Sequence, residues 1–291
     1  MNYSPLRYPG GKTKLASLIY LIMQNTGNGC RTYIEPFAGG AGVALSLLLE
    51  DKVDRIVIND YDKAIYSFWR AIKEDTAPLL QLVAKTPLSI EEWRRQKDMY
   101  ANHNNKYSVE LGFAAFYLNR TNRSGVLKGG PIGGLSQEGN YLMDARYNRA
   151  ELISRIEKIA KRKKDISVYN KEVRSFISDI IPRHQQQAFV YFDPPYYKKG
   201  PELYKNFLQP NDHEDIANSI IQNVQCDWIV TYDDVPQIEI LYRQYPMRKM
   251  TLRYSVANTS PSGSEIIVFK NTQYCPDQSQ LEKSKIKIKV V

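Results

Sequence analysis

Residues 188–197 read Ala-Phe-Val-Tyr-Phe-Asp-Pro-Pro-Tyr-Tyr, and this segment constrains the fold more than any other. Its first five residues form a β-rich apolar run that stops at Asp193. Pro194 and Pro195 each fix φ at about −65° and each lack an N–H, so the chain must leave a sheet here in extended form, with carbonyls that no local donor claims. A second segment, Tyr33-Ile-Glu-Pro-Phe-Ala-Gly-Gly-Ala-Gly-Val43, reads as a strand, a glycine-rich turn and the start of an apolar helix to Leu49. That is how an α/β sheet presents a nucleotide-like ligand. The glycines miss the dinucleotide fingerprint, because Leu45 stands where Gly40-x-Gly42 needs a third glycine or an alanine. A third segment, Arg55-Ile-Val-Ile-Asn-Asp60, is a strand ending in an acid. Asp60 can accept hydrogen bonds from ribose hydroxyls. It can also cap a helix that begins at Lys63, and the two roles are compatible.

The end of the 188–192 run suggests a chemistry. An amino group on an aromatic ring is a poor nucleophile because its lone pair is delocalised. Two acceptors, the Asp193 carboxylate and the Pro194 carbonyl, can hold both of its hydrogens and localise the lone pair toward an electrophilic methyl group. Tyr196 then offers a stacking surface for a base rotated out of its helix. The plainer alternative is a strand followed by a proline-rich turn with an incidental acid. Near the N-terminus, Gly11-Lys12-Thr13 is not a phosphate loop, since Leu6 stands where the first glycine of that motif belongs. Lys12 has another use. Cys30, Cys226 and Cys275 are widely spaced and lack a CxxC pair, which points to a reducing cytosol with no disulfide framework and no metal site. Without an activated cysteine beside a proline, methylation at a ring carbon is disfavoured.

Taken together, these segments give the chain a resemblance to the Dam-type DNA adenine methyltransferases, in the group whose cofactor motif precedes the target-recognition region and whose catalytic motif follows it. The resemblance covers most of residues 4–271 and rests on Tyr8-Pro-Gly-Gly-Lys12, Glu35-Pro-Phe-Ala-Gly-Gly-Ala-Gly42, Asn59-Asp60, Tyr117-Leu-Asn-Arg-Thr121 and Asp193-Pro-Pro-Tyr196, in that order. It implies S-adenosyl-L-methionine as cofactor. Tyr8 and Lys12 would border its methionine end, Glu35, Phe37, Gly39 and Gly40 would wrap it, Asp60 would meet the ribose, and Val173 would lie beside the adenine. Asp193 would touch cofactor as well as substrate, and the catalytic set would be Asp193, Pro194, Pro195 and Tyr196. The implied partner is double-stranded DNA, with an adenine flipped out and methylated on N6. Asp before the Pro-Pro pair leans toward adenine through the resemblance alone. Cytosine N4 stays open as an alternative substrate, and so does a DNA-binding protein that keeps the fold without turnover. A companion restriction endonuclease, a cytoplasmic location and a monomer or weak dimer complete what the family suggests.

The expected architecture is α/β, a Rossmann-like methyltransferase sheet interrupted by a mostly helical target-recognition domain. Residues 1–71 and 164–275 form the catalytic part, 72–163 the insert and 276–291 a basic tail. The net charge is +9, and residues 72–163 contribute +6 of it through sixteen Lys or Arg against ten Asp or Glu, so the insert is the better candidate for a polyanion. No apolar run has transmembrane length, which predicts no membrane association. Helices are expected over 66–100, broken at Pro78 and Pro87, and over 108–117 and 149–164. Strands are expected at 166–169, 189–192, 228–232, 248–256 and 265–270, the last two as an antiparallel hairpin. Residues 119–147 hold Gly125, Gly129, Gly130, Gly133, Gly134 and Gly139, which predicts hairpins or mobile loops. There, Asn119 and Arg120 can support the active-site wall, while Arg123, Ser124 and Lys128 suit a DNA groove or its phosphates. GATC-reading relatives usually carry an aromatic-Asn pair and an Arg where Arg123-Ser124 and Lys128 stand, so target specificity does not carry over. His213, beside Asp212 at a helix start, is expected to cap or to be exposed. The tail alternates like an edge strand, and a frayed end is equally compatible with its charge.

Overall fold

The computed structural model describes residues 3–7, 12–197, 208–253, 262–286 and 289–290. Among the described residues, eight strands form one sheet: β1 Thr32–Glu35, β2 Arg55–Asn59, β3 Ile166–Tyr169, β4 Ala188–Phe192, β5 Asp227–Asp233, β6 Met247–Arg253, β7 Ser262–Phe269 and β8 Lys289–Val290. Their order is β3-β2-β1-β4-β5-β7-β6-β8. The first five are mutually parallel, and β7 lies antiparallel between β5 and β6. Every residue of β1 and β4 is buried, as expected of parallel strands covered on both faces.

Chain order reverses where β1 meets β4: one side continues to β2 and β3, the other to β5. Turns leaving the carboxyl ends of two such strands diverge and open a crevice. The turn after β1 carries Gly39 and Gly40, and the turn after β4 carries Asp193-Pro194-Pro195-Tyr196. The glycine turn and the Asp193–Tyr196 tetrapeptide therefore share one edge of the sheet.

Helices cover both faces: α1 Ala16–Asn25, α2 Gly42–Leu49, α3 Lys63–Glu74, α4 Thr76–Lys85, α5 Ile90–Ala101, α6 Val109–Thr121, α7 Arg149–Ala160, α8 Val173–Asp179, α9 Ile181–His184, α10 Pro210–Asn223, α11 Pro236–Leu241 and α12 Gln278–Lys283. Side chains alternate across the strands. Tyr33, Ile56, Ile58, Phe189 and Tyr191 join the core beneath α1–α7, whereas Ile34, Val57, Val190, Phe192 and Trp228 join the core beneath α8, α10 and α11. The side chains of Asp62, Ser89, Ser108 and Asn148 cap α3, α5, α6 and α7 by accepting from first-turn N–H groups. Phe68 of α3 stacks on Phe116 of α6 at 5.4 Å. Among the described residues no helix is long and apolar enough to cross a membrane.

Several expectations are corrected by the structure. Pro78 does not break a helix; it occupies the first turn of α4, where a missing N–H is harmless. Helix α7 ends at Ala160, and a 3₁₀ turn, Lys163–Asp165, joins it to β3. The glycine-rich stretch forms no hairpin. It consists of turns around an isolated bridge between Asn122 and Pro131, pinned by Asn122, which donates to the carbonyls of Val126 and Leu127 and accepts from Trp93 Nε1 at 2.7 Å. Strand β6 is described only to Arg253, so residues 254–256 of the expected strand lie outside the described residues. In the tail, β8 pairs antiparallel with Met250 and Thr251 of β6, as an edge strand.

Candidate active site

Asp193 leaves the end of β4 and is gripped by two side chains, Thr231 and Lys12. Thr231 on β5 donates from Oγ1 to Asp193 Oδ1 at 2.8 Å, and the Tyr191 and Thr231 hydroxyls lie 2.8 Å apart behind it. Lys12, buried at the start of the 3₁₀ turn Lys12–Leu15, brings Nζ to 3.3 Å from the same Oδ1. That ammonium also donates to Glu265 Oε1 at 3.0 Å and to the Tyr196 hydroxyl at 3.1 Å. The Tyr196 hydroxyl in turn donates to Glu265 Oε1 at 2.9 Å. Burial opposes the charge on Lys12, but Asp193 and Glu265 outweigh it and raise its pKa. Burial raises the pKa of Glu265 too, against the pull of Lys12. One ammonium thus faces two carboxylates. The loop is further held by Tyr197, whose N–H donates to Asp233 Oδ1 at 2.8 Å. Among the described residues no donor takes Asp193 Oδ2 or the Pro194 carbonyl.

The cofactor-side residues sit at the same sheet edge. Gly39 has φ +46° and Ala41 φ +47°, a left-handed bend that turns β1 into α2; Gly39 takes it without a Cβ penalty. Asp60 bridges this bend to β2. Its Oδ2 accepts from Gly39 N–H and its Oδ1 from Asp62 N–H, both at 2.9 Å. Asp60 is not the helix cap; Asp62 is. Burial pushes the Asp60 carboxyl up to about 7, with Asp62 adding to it. Glu35 lies inside the turn, where its Oε1 accepts from Ala44 N–H at 3.1 Å and the Tyr33 hydroxyl at 3.0 Å. Burial lifts it to about 8. Phe37 is half-buried and Gly40 buried; the Gly40 carbonyl accepts from Ser4 Oγ at 2.5 Å. Val173 is buried at the head of α8, after a turn in which Asn170 Nδ2 donates to the Asp60 and Tyr61 carbonyls. Tyr8 lies outside the described residues. No group of three or more His, Cys, Asp or Glu among the described residues is arranged to hold a metal.

The recognition residues divide into two sets. Arg123, Ser124 and Lys128 are exposed on the turn after α6. Asn119 is fully buried and its amide is committed: it accepts from Arg7 N–H at 2.6 Å and donates to the Arg7 carbonyl at 2.6 Å and to Gly125 O at 3.0 Å. The amide thereby ties the segment that leads to Lys12 to the end of α6. Arg120 is 8% exposed, and its Nε has no partner among the described residues. Burial, with Arg155 and Arg7 nearby, lowers its pKa to about 10, and so little exposure sets it apart from the exposed Arg123 and Lys128.

His213 is also corrected. It is buried rather than exposed, Nδ1 lies 3.0 Å from the Tyr232 hydroxyl, and burial lowers its pKa. Gln209 and Asp212 form the capping box of α10 instead. The three cysteines are free and partly buried. Sequence reasoning missed Thr231, Asp233 and Glu265, the strand residues that grip the loop after β4.

The model of a family described as D12 class N6 adenine-specific DNA methyltransferase matches residues 8–256. The Type II methyltransferase M.MjaIII of Methanocaldococcus jannaschii is 25% identical over 207 residues, spanning 66% of this chain and 68% of that protein. The Type II methyltransferase M1.LlaDCHI of Lactococcus lactis subsp. cremoris is 24% identical over 204 residues, spanning 67% of this chain and 66% of that protein. Each alignment thus spans about two thirds of the relative. Among solved structures, the rRNA methyltransferase aviRa of Streptomyces viridochromogenes superposes with a TM-score of 0.39 at 12% identity, covering 90% of this chain and 86% of that one, a likeness too distant to bear on the chemistry. The chain belongs to the D12 class of N6 adenine-specific DNA methyltransferases.

Proposed function

We propose that this chain transfers a methyl group from S-adenosyl-L-methionine to N6 of an adenine flipped out of duplex DNA, at the crevice between the turns that follow β1 and β4. The observation that carries the reading is the pairing of an anchored Asp193 with two acceptors that no described residue occupies, Asp193 Oδ2 and the Pro194 carbonyl. Two acceptors on a loop already fixed by Thr231, Lys12 and Asp233 need little reorganisation when an NH₂ arrives. Held by both hydrogens, the nitrogen has its lone pair turned out of conjugation toward the methyl donor. Tyr196 supplies the ring against which the base lies. The proton released after transfer goes to Asp193 or to water.

The residues present fit the cofactor. It would supply an electrophilic methyl group on a positively charged sulfur, and the Asp193 carboxylate stands at the catalytic end of the crevice. Phe37 and the Gly39-Gly40 bend would hold the adenosine, with Asp60 toward the ribose and Val173 near the adenine ring. Glu35, turned into the bend, would shape this wall; Tyr8 and Lys12 would border the methionine end. Residues 72–163 would act as the target-recognition region. Arg123, Ser124 and Lys128 would meet the groove or its phosphates, with Asn119 and Arg120 supporting the active-site wall. The Type II names of both relatives support a companion restriction endonuclease, and such a protein would work in the cytoplasm.

A methyl-transfer assay with tritiated cofactor and mixed-sequence DNA, followed by nucleoside analysis, tests the reading. Wild type should label N6-methyladenine, and Asp193→Ala should lose about 100- to 1,000-fold in kcat, as for removal of one preorganised polar group. Label in N4-methylcytosine would redirect the substrate, and an Asp193→Ala variant as active as wild type would reject the mechanism.

A further inference from the structure

Glu265 reaches the catalytic cluster from β7, where it pairs with Asp233 of β5 and Met250 of β6. It is 2% exposed. A carboxylate buried so deeply needs strong partners, and both of its described donors, Lys12 Nζ and the Tyr196 hydroxyl, converge on the single oxygen Oε1. Neutralising Lys12 does not by itself require Glu265, since Asp193 already lies 3.3 Å from that ammonium. The second carboxylate has two geometric consequences. It anchors the hydroxyl of Tyr196, which fixes the plane of the ring, and it draws Lys12 to a shorter contact, 3.0 Å, than the one Lys12 makes with Asp193.

Building on the methyltransferase reading above, we propose that Glu265 is a positioning residue for methyl transfer: it holds the Lys12 ammonium and the Tyr196 phenol on one oxygen. The ring is thereby set for a flipped aminopurine, and Asp193 keeps its acceptor strength for the amine. Glu265 touches neither substrate nor cofactor in this role. It acts through Tyr196 and Lys12.

The test uses the full chain and a duplex containing a site the wild type methylates, with 2-aminopurine replacing the target adenine for fluorescence. Glu265→Gln keeps the shape and removes the charge, and it should lower kcat about 10- to 100-fold while KM for S-adenosyl-L-methionine stays within about threefold. Its 2-aminopurine emission should rise by about twofold or more, because a base no longer held against the ring is less quenched. Tyr196→Phe keeps the ring and loses only the hydroxyl, and should cost about 3- to 10-fold in kcat with the same direction of fluorescence change. The double variant should fall within about twofold of Glu265→Gln alone, since the two groups act as one unit. Unchanged kcat and fluorescence in Glu265→Gln, a loss confined to KM for the cofactor, or multiplicative losses in the double variant would overturn the proposal. Should Glu265→Gln fail to fold by circular dichroism, Tyr196→Phe decides: wild-type kcat and emission there overturn it equally. Wild type that labels no adenine overturns the underlying reading as well, whereas active wild type with indifferent variants sinks this inference alone.

Discussion

Thr231 illustrates what one side chain contributes to the site. Its hydroxyl donates to Asp193 Oδ1, and no described donor other than Lys12 shares that oxygen. Thr231→Val keeps the β-branched shape that suits a strand and removes the donor. We expect kcat to fall about 10-fold, or about 1.4 kcal/mol, with the melting temperature little changed; steady-state kinetics beside a thermal melt would check both. The Asp193–Tyr196 tetrapeptide was legible in sequence because its acid, its prolines and its ring are contiguous and each dictates local geometry. Its partners were not. Thr231 lies 38 residues from Asp193, Lys12 lies 184 from Tyr196, and Glu265 lies 253 from Lys12, separations that only sheet topology closes. His213 shows the same limit: a histidine beside the capping Asp212 reads as exposed, yet Tyr197 and Tyr232 pack against its ring, with centroids at 4.9 and 5.5 Å.

Elements were easier to read where the period was strong or punctuation was sharp. Strand β3 and the cores of β4 and β5 follow from apolar runs, and the helix expected over 108–117 is the body of α6. In the stretch after α6, glycine content signals turns without saying how they connect, so hairpins and loops are both compatible with it; the structure has turns, held by buried Asn122, which accepts from Trp93 Nε1. Gly112 carries meaning that composition hid. A Cβ there would meet Ser67 and Phe68 backbone atoms at 2.7 Å, so α3 and α6 approach as closely as they do only because position 112 is bare. Gly112→Ala gains about 1 kcal/mol in helix propensity, but overpacking against rigid backbone costs about 3 kcal/mol. The clash wins. Urea unfolding should show a net loss of about 2 kcal/mol, and equal or greater stability than wild type would contradict this packing.

At the scale of the whole molecule, the buried acids of the crevice couple stability to pH. Glu35 is lifted to about 8 and Asp60 to about 7, both above their unfolded values, so between those limits the folded protein holds protons that the unfolded chain has released. The stability this confers is complete below the unfolded pKa values and is lost as pH rises through 7 to 8. Between pH 7 and 8 the ligand-free protein should lose about 1 kcal/mol from Glu35, a drop of about 2–4 °C in melting temperature. Glu35→Gln should flatten that slope in a pH series of thermal melts. These acids, the reversal of strand order and the catalytic loop share one edge of the sheet, and the account rests on that edge being a methyl-transfer site. Long-read sequencing of DNA from cells expressing the wild-type chain or Asp193→Ala measures this most directly. The account predicts N6-methyladenine in a defined sequence context with the wild type and its absence with the variant. Unmodified adenine in wild-type cells, or the same methylation pattern with Asp193→Ala, would contradict it.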